Sequence, residues 1–218
     1  MKTIIGLVGA KASGKTTTFE FIQEIYPNVV EITLAGKLKD TCSEVFEIPR
    51  EYFDKQNLKE ADLDSPVYLT VENIKAVHDK YRLHPDYDAF IRLHIGRILY
   101  TPREVAQYIG TEVLRAYQDD IHCQWSVIGK MGKIGDIGVV TDIRFPNELS
   151  FFKDNYPNFH PIYIKNTGAE AEAAKDTHAS EAHLPQLKAA SREISNDADK
   201  NTLRNNISVI LSEILGGK

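Results

Sequence analysis

The chain has 218 residues, 42% hydrophobic and 26% charged, the balance of one sizeable soluble domain with room for an insert; disordered, collagen-like and membrane-spanning classes are excluded. Its 26 basic and 31 acidic side chains give a formal charge of -5, and no Lys/Arg run forms the stripe of a duplex-binding protein, so neither polymeric nucleic acid nor a membrane is expected as a partner. Cys42 and Cys123 stand far apart in no metal-ligand spacing, and the first residues lack a charged-then-apolar leader, which points to a reducing cytoplasm.

Residues 2–9 (KTIIGLVG) form a short apolar, β-branched run ending in glycine, the pattern of a strand buried on both faces of a parallel sheet. Over residues 14–26 the pattern turns helical, with Phe19, Ile22 and Ile25 at three-residue steps until Pro27 stops it. Residues 29–34 predict a second strand. About a hundred residues of helical character then precede the third, far more than a crossover needs, so residues 37–133 read as a helical insert whose polar part, 49–66, is irregular. Within it, Thr101-Pro102-Arg103-Glu104 is a helix start: threonine caps, proline fits the first turn, and glutamate reaches back.

The third strand is expected over 136–143 (DIGVVTDI), the fourth over 160–165 and a weaker fifth over 192–195. Residues 167–177 are small and polar, suiting a mobile loop or short helix. Leu203, Ile207, Ile210, Leu211 and Ile214 share one face of a closing helix over 199–215. Five strands with helices between them argue for a three-layer α/β domain with its core in residues 1–36 and 134–218.

The strongest motif is Gly9-Ala-Lys11-Ala-Ser13-Gly14-Lys15-Thr16, a full P-loop match that follows a strand and opens a helix. Glycines at 9 and 14 permit a tight turn whose N–H groups converge on phosphate oxygens, helped by the helix N-terminus. Lys15 adds a point charge at the transferring phosphate and Thr16 a hydroxyl for Mg²⁺. No Asn-Lys-x-Asp guanine-reading tetrad occurs, so the pattern favours a kinase over a GTPase switch.

Arg103, Gln107, Thr111 and Arg115 recur every four residues, a polar stripe that drifts about 40° per step on an α-helix. It either clamps a phosphate and reads a base edge or is a solvated face. Gly110, mid-helix, would allow a ligand to approach closely. Trp125 is either a core residue or a base-stacking platform. Asp142 and Arg144 follow the third strand, where side chains of a parallel sheet face the ligand crevice; the structural alternative is an Asp–Arg ion pair with Asn147 as a helix cap. Asp197 either caps the closing helix or lies beside an adenine.

Taken in order, the P-loop, Ala35-Gly36-Lys-Leu-Lys39-Asp40, Thr101-Pro-Arg-Glu with Gln107 and Gly110-Thr111-Glu112, Trp125, Asp142-Ile-Arg144-Phe-Pro-Asn-Glu148, His178-Ala-Ser-Glu181 and Ser195-Asn-Asp197 span nearly the whole chain. This series resembles the bacteriophage deoxynucleoside monophosphate kinases. The resemblance implies a three-layer P-loop kinase fold with a five-stranded parallel sheet, a helical monophosphate-binding insert and a lid over about residues 166–178. It also implies Mg²⁺-dependent transfer of the γ-phosphoryl of ATP to a deoxynucleoside 5′-monophosphate, giving the diphosphate and ADP.

By the same resemblance, Lys11, Ser13, Gly14, Lys15, Thr16 and Thr17 bind the ATP phosphates, Thr16 ligates the metal, and Asn196-Asp197 lie by the adenine. Lys39, Arg103, Gln107, Gly110, Thr111, Trp125, Asp142, Arg144 and Glu148 form the deoxynucleotide pocket, with Lys15, Asp142 and Arg144 catalytic. The chain departs from the pattern in the lid, where nucleoside monophosphate kinases usually supply arginines and this segment offers Lys165, Lys175 and His178. A phage-encoded enzyme of this kind works in the cytoplasm of the infected host, as a monomer or a homodimer. The competing readings are a dephospho-coenzyme A kinase-like enzyme and an ATP-binding regulatory module without a small acceptor.

Overall fold

Short β-branched runs bounded by turn residues become, among the described residues, seven strands: β1 (Thr3–Val8), β2 (Val30–Ile32), β3 (Val67–Tyr68), β4 (Ile98–Leu99), β5 (Ile137–Val140), β6 (Phe159–Lys165) and β7 (Arg192–Ser195). The computed structural model describes residues 2–83, 87–130, 133–175 and 182–216. The chain divides into two compact units, one of residues 1–34 with 123–218 and one of residues 35–122.

The first unit carries a five-stranded sheet in the order β2-β5-β1-β6-β7, every pair parallel. All six residues of β1 are buried, as a central strand flanked by helices on both faces requires. Alternation along β1 sorts the two cores. Ile5 and Leu7 pack with Phe19 and Ile22 of the P-loop helix (Lys15–Ile25) and with Leu203, Ile207, Ile210 and Leu211 of the closing helix (Lys200–Leu215). Ile4 and Val8 face the other way, toward Cys123, Val127, Leu149, Phe152 and Leu187. The result is three layers. Residues 123–133 belong with the sheet unit because Cys123 and Val127 enter this second core beside Ile134.

β5 is shorter than the expected run over 136–143. The ladder continues one bond further, Thr141 N to Ile32 O at 3.1 Å, and then the chain turns so that Leu34 N donates to the Asp142 carboxylate at 2.8 Å. A side chain replaces a strand bond there, and the residues beyond it are released from the pleat.

The second unit is mainly helical, as the insert is expected to be, with one departure. Val67 and Tyr68 pair antiparallel with Leu99 and Ile98, a small ribbon in a stretch read as helical. Its signal was present in two short runs, VYLT and RILY, too brief to outweigh the surrounding helical pattern. The polar stretch 49–66 contains a 3-10 turn (Arg50–Phe53) and one helical turn (Gln56–Lys59). Thr101 caps its helix as expected: its hydroxyl accepts from Glu104 N at 3.1 Å, while the Glu104 carboxylate accepts from Tyr100 N at 2.7 Å.

The helix begun at Pro102 runs to Gln107 and then widens into a π-helix, Tyr108–Arg115. Gly110 lies within it, and what approaches Gly110 is a side chain of the same unit. A Cβ there would stand 2.7 Å from Leu38 Cδ2, so close helix packing occupies the place that the sequence suggests for a ligand. The Gly110 carbonyl accepts from His122 Nε2 at 3.0 Å, which fixes the neutral Nε2–H tautomer, and Nδ1 is buried without a partner.

Burial holds the His122 pKa down at about 4, with Arg115 adding to the effect. Above pH 6.5 the ring is neutral in the folded and the unfolded chain, and its contribution to stability is complete. As pH falls toward 4, only the unfolded chain takes up the proton, so stability should fall by about 3 kcal/mol across that window. Denaturant midpoints between pH 7 and pH 4 measure this, and the loss should be smaller in His122→Gln. Equal pH slopes in the two proteins would show that His122 contributes none of it.

Candidate active site

β1 ends by feeding its backbone into a turn of unusual hand, with φ of +147° at Gly9, +63° at Ala12 and +102° at Gly14. Only at Ala12 does a side chain bear this conformation, at a cost of about 1–2 kcal/mol. Gly14 is then the N-cap of the P-loop helix, which directs its free amides into the turn. Lys15 folds back over the loop, its ammonium donating to Gly9 O at 2.7 Å and Ala10 O at 2.8 Å. Lys11 and Thr16 are exposed, Thr17 is half-buried, and the fully buried Ser13 Oγ has no hydrogen-bond partner.

Parallel register places the second element of the site. Gly6 pairs with Val140, so continuing the alignment sets Asp142 level with Val8, one residue before the P-loop. Asp142 is half-buried and holds the start of the segment after β2 through Leu34 N. Arg144 is exposed two residues further on. Glu148, expected among the substrate-binding residues, is only 2% exposed, and its carboxylate accepts from Arg144 N at 2.7 Å and Phe145 N at 3.0 Å. It braces the backbone under Arg144. The cap of the following helix (Pro146–Asn155) is accordingly Phe145 with Glu148 reaching back, and Asn147 does not serve as the cap.

The third element comes from the far end of the chain. Asn196 Nδ2 donates to Ser13 O at 2.8 Å, Asn196 N to Lys165 O at 2.7 Å, and Asn166 Nδ2 to Asn196 O at 2.8 Å. Asp197 does not cap the closing helix, a task done by Asp199 through Thr202 N at 2.9 Å. Its carboxylate instead accepts from Thr167 N at 2.6 Å, which lowers its pKa. The small polar stretch after β6 is a helix (Thr167–Ala173) capped by Asn166 through Ala169 N at 2.8 Å. Asn166 was not legible as a site residue, because its only sequence signal is that of an ordinary N-cap.

Two of the expected lid cations are paired: Lys165 with Glu193 at 3.7 Å and Lys175 with Glu172 at 2.7 Å. His178 and Glu181 lie outside the described residues. Trp125 is half-buried on the helix Ile121–Ile128.

Within the second unit, Lys39 pairs with Asp54 at 2.9 Å and Arg103 with Glu60. Arg103 also keeps its Nε buried with no hydrogen-bond partner. Gln107 and Thr111 are exposed along the same helix. Asp54 and Glu60 escaped the sequence reading because nothing local distinguishes them from other carboxylates of the polar 49–66 stretch.

A cavity of about 290 Å³ opens at the opposite, N-terminal end of β6 and β7, lined by Lys153, His160, Pro161, Ile162, Ala190 and Arg192 among others. The phosphate turn lies at the other end of the strands.

A parallel sheet whose central strand runs through a Gly-x-x-x-x-Gly-Lys-Thr turn into a helix defines a P-loop nucleotide-binding protein. No protein-family model matches the chain. Over 197 residues it is 29% identical to an Acanthamoeba polyphaga mimivirus protein named "Putative deoxynucleotide monophosphate kinase", covering 85% of this chain and 83% of that one. It is 24% identical to the "Deoxynucleoside-5′-monophosphate kinase" of Escherichia phage T5, covering 85% of this chain and 86% of the relative. Among solved structures, dephospho-CoA kinase from Campylobacter jejuni aligns over 98% of this chain and 97% of its own at 14% identity, with a TM-score of 0.42, a likeness too distant to bear on function.

Proposed function

We propose that this protein is a deoxynucleoside monophosphate kinase, transferring the γ-phosphoryl of ATP to a deoxynucleoside 5′-monophosphate to give the diphosphate and ADP. The observation that carries the reading is a P-loop of positive-φ geometry on a chain similar along 85% of its length to proteins named for that activity. Lys11, Ser13, Gly14, Lys15, Thr16 and Thr17 hold the ATP phosphates. The fit rests on the turn itself: it already binds one cation, the Lys15 ammonium, on the Gly9 and Ala10 carbonyls, and its one side-chain oxygen in the interior, Ser13 Oγ, is unsatisfied. Mg²⁺, when bound beside Thr16, neutralises phosphate charge. Phosphate oxygens and water supply most ligands of such an ion, and no cluster of three or more His, Cys, Asp or Glu able to hold a metal exists among the described residues.

Lys39, Arg103, Gln107, Thr111 and Trp125, with Asp142 and Arg144, are the deoxynucleotide-binding residues, while Gly110 and Glu148 act on the backbone. Gly110 serves by letting the helix seat against Leu38, and Glu148 by bracing Arg144. The Arg103 guanidinium, held by Glu60, supplies the planar fork that suits phosphate oxygens. The monophosphate oxygen is itself the nucleophile, so positioning and charge neutralisation supply most of the acceleration and no general base is required. Lys15 and Arg144 meet the developing charge, and Asp142 orients the reacting groups. Two buried free thiols accord with work in a reducing cytoplasm, and among the described residues no helix is long and apolar enough to cross a membrane.

The test is an acceptor panel: ADP release from ATP, measured with each of the four common deoxynucleoside monophosphates and with dephospho-coenzyme A. At least one deoxynucleotide should stimulate release, and dephospho-coenzyme A should not. Stimulation by dephospho-coenzyme A alone would replace the acceptor, and indifference to all five would replace the enzyme with a nucleotide-binding module.

A further inference from the structure

We propose that Asn196 is a positioning residue for the phosphate turn: a clasp that holds the P-loop in its phosphate-binding shape and joins it to the helix Thr167–Ala173. The inference rests on the P-loop binding a polyphosphate and departs from the adenine contact expected at Asn196.

The geometry supports the clasp at the side-chain amide nitrogen and at both main-chain polar atoms of the residue. Asn196 Nδ2 donates to Ser13 O, a carbonyl inside the loop and 183 residues distant in sequence, at 2.8 Å. The amide orientation is fixed by that acceptor, since a side-chain oxygen there would face the carbonyl. The main chain of Asn196 is held on both sides, through Lys165 O at 2.7 Å and Asn166 Nδ2 at 2.8 Å. Asn196 therefore reaches the loop from a rigid base, the end of β7 beside β6.

The same side chain explains Gly14 a second way. A Cβ at Gly14 would collide with Asn196 Nδ2, so the glycine is demanded both by its positive φ and by the clasp that packs against it. Asn166 and Asp197 then extend the link: Asn166 caps the helix Thr167–Ala173 through Ala169 N, and Asp197 accepts from Thr167 N. The loop, the ends of β6 and β7 and the start of that helix are tied by five short hydrogen bonds. Releasing the Ser13 carbonyl would free the middle of the turn, and its amides would lose the convergence that phosphate binding needs.

The experiment measures binding without an acceptor, by calorimetry, using Mg·ATP and Mg·tripolyphosphate as probes of wild type, Asn196→Ala and Asn196→Asp. Tripolyphosphate has no base. A clasp predicts that N196A weakens both probes by a similar factor, about tenfold for one lost hydrogen bond, with the melting temperature within a few degrees of wild type. N196D, the same size but with an acceptor facing the Ser13 carbonyl, should bind both more weakly still. If N196A weakens ATP while tripolyphosphate binds as in wild type, Asn196 reads the base and the clasp is wrong. Unchanged binding of both probes overturns it equally.

Should N196A melt too low for calorimetry, Asn166→Ala takes its place, with a loss of about threefold expected for both probes and wild-type affinity refuting the clasp. A wild-type protein that binds both polyphosphates yet turns over no deoxynucleotide would sink the kinase reading and leave this one standing.

Discussion

Lys15→Ala is expected to lower kcat by about a thousandfold, roughly 4 kcal/mol of transition-state stabilisation, while the protein folds normally. The two halves of that expectation come from different observations. Catalytically, phosphoryl transfer asks the protein for charge at the transferring group more than for covalent chemistry, and Lys15 is the cation the P-loop places at its mouth. Structurally, the Lys15 ammonium donates to the Gly9 and Ala10 carbonyls and is half-buried at the surface, where water replaces it at small cost. A coupled assay and a thermal melt on the same preparation check both. Turnover like wild type in a folded variant would remove the central mechanistic assignment.

Arg144→Ala is expected to lower kcat by about a hundredfold or more with ATP affinity nearly unchanged. The reasoning is one of supply. Residues 166–178 contain no arginine, and Lys165 and Lys175 are each paired with a carboxylate. Arg144 has an exposed guanidinium on a backbone fixed by the buried Glu148, at the strand end beside β1, and its planar fork matches phosphate oxygens bidentately. Arg144→Lys keeps the charge and loses the fork, so it should recover only part of the rate. Steady-state constants for both substrates decide the matter. A rise in KM for the monophosphate with kcat intact would make Arg144 a binding residue and leave the transition-state charge to other groups.

How much of this was legible before folding depends on how local each signal is. The P-loop is read directly because all its working parts lie within eight consecutive residues, and the strand and helix on either side follow from the periodicity of the adjoining residues. Buried strands carry continuous apolar runs, which made β1, β5 and β6 visible; β2 and β7, with one buried residue each, gave shorter and weaker signals. The β3–β4 ribbon was not visible, because two-residue strands carry almost no pattern. Glu148 and Gly110 were expected in the deoxynucleotide pocket, yet their partners here are a backbone amide pair and Leu38, and no spacing rule names those.

The sequence by itself determined that a phosphate turn exists, that a parallel α/β sheet carries it, and which arginines and carboxylates are available nearby in the chain. Tertiary structure alone decided that Asn196 holds Ser13, that Asp142 secures Leu34, that Asp197 serves Thr167, and that Lys39 and Arg103 meet Asp54 and Glu60. The physical reason is range. Backbone conformation and hydrophobic period are imposed by neighbours a few residues away and so are written in order along the chain. A hydrogen bond between residues 13 and 196 depends on strand register and helix packing summed over the whole sheet.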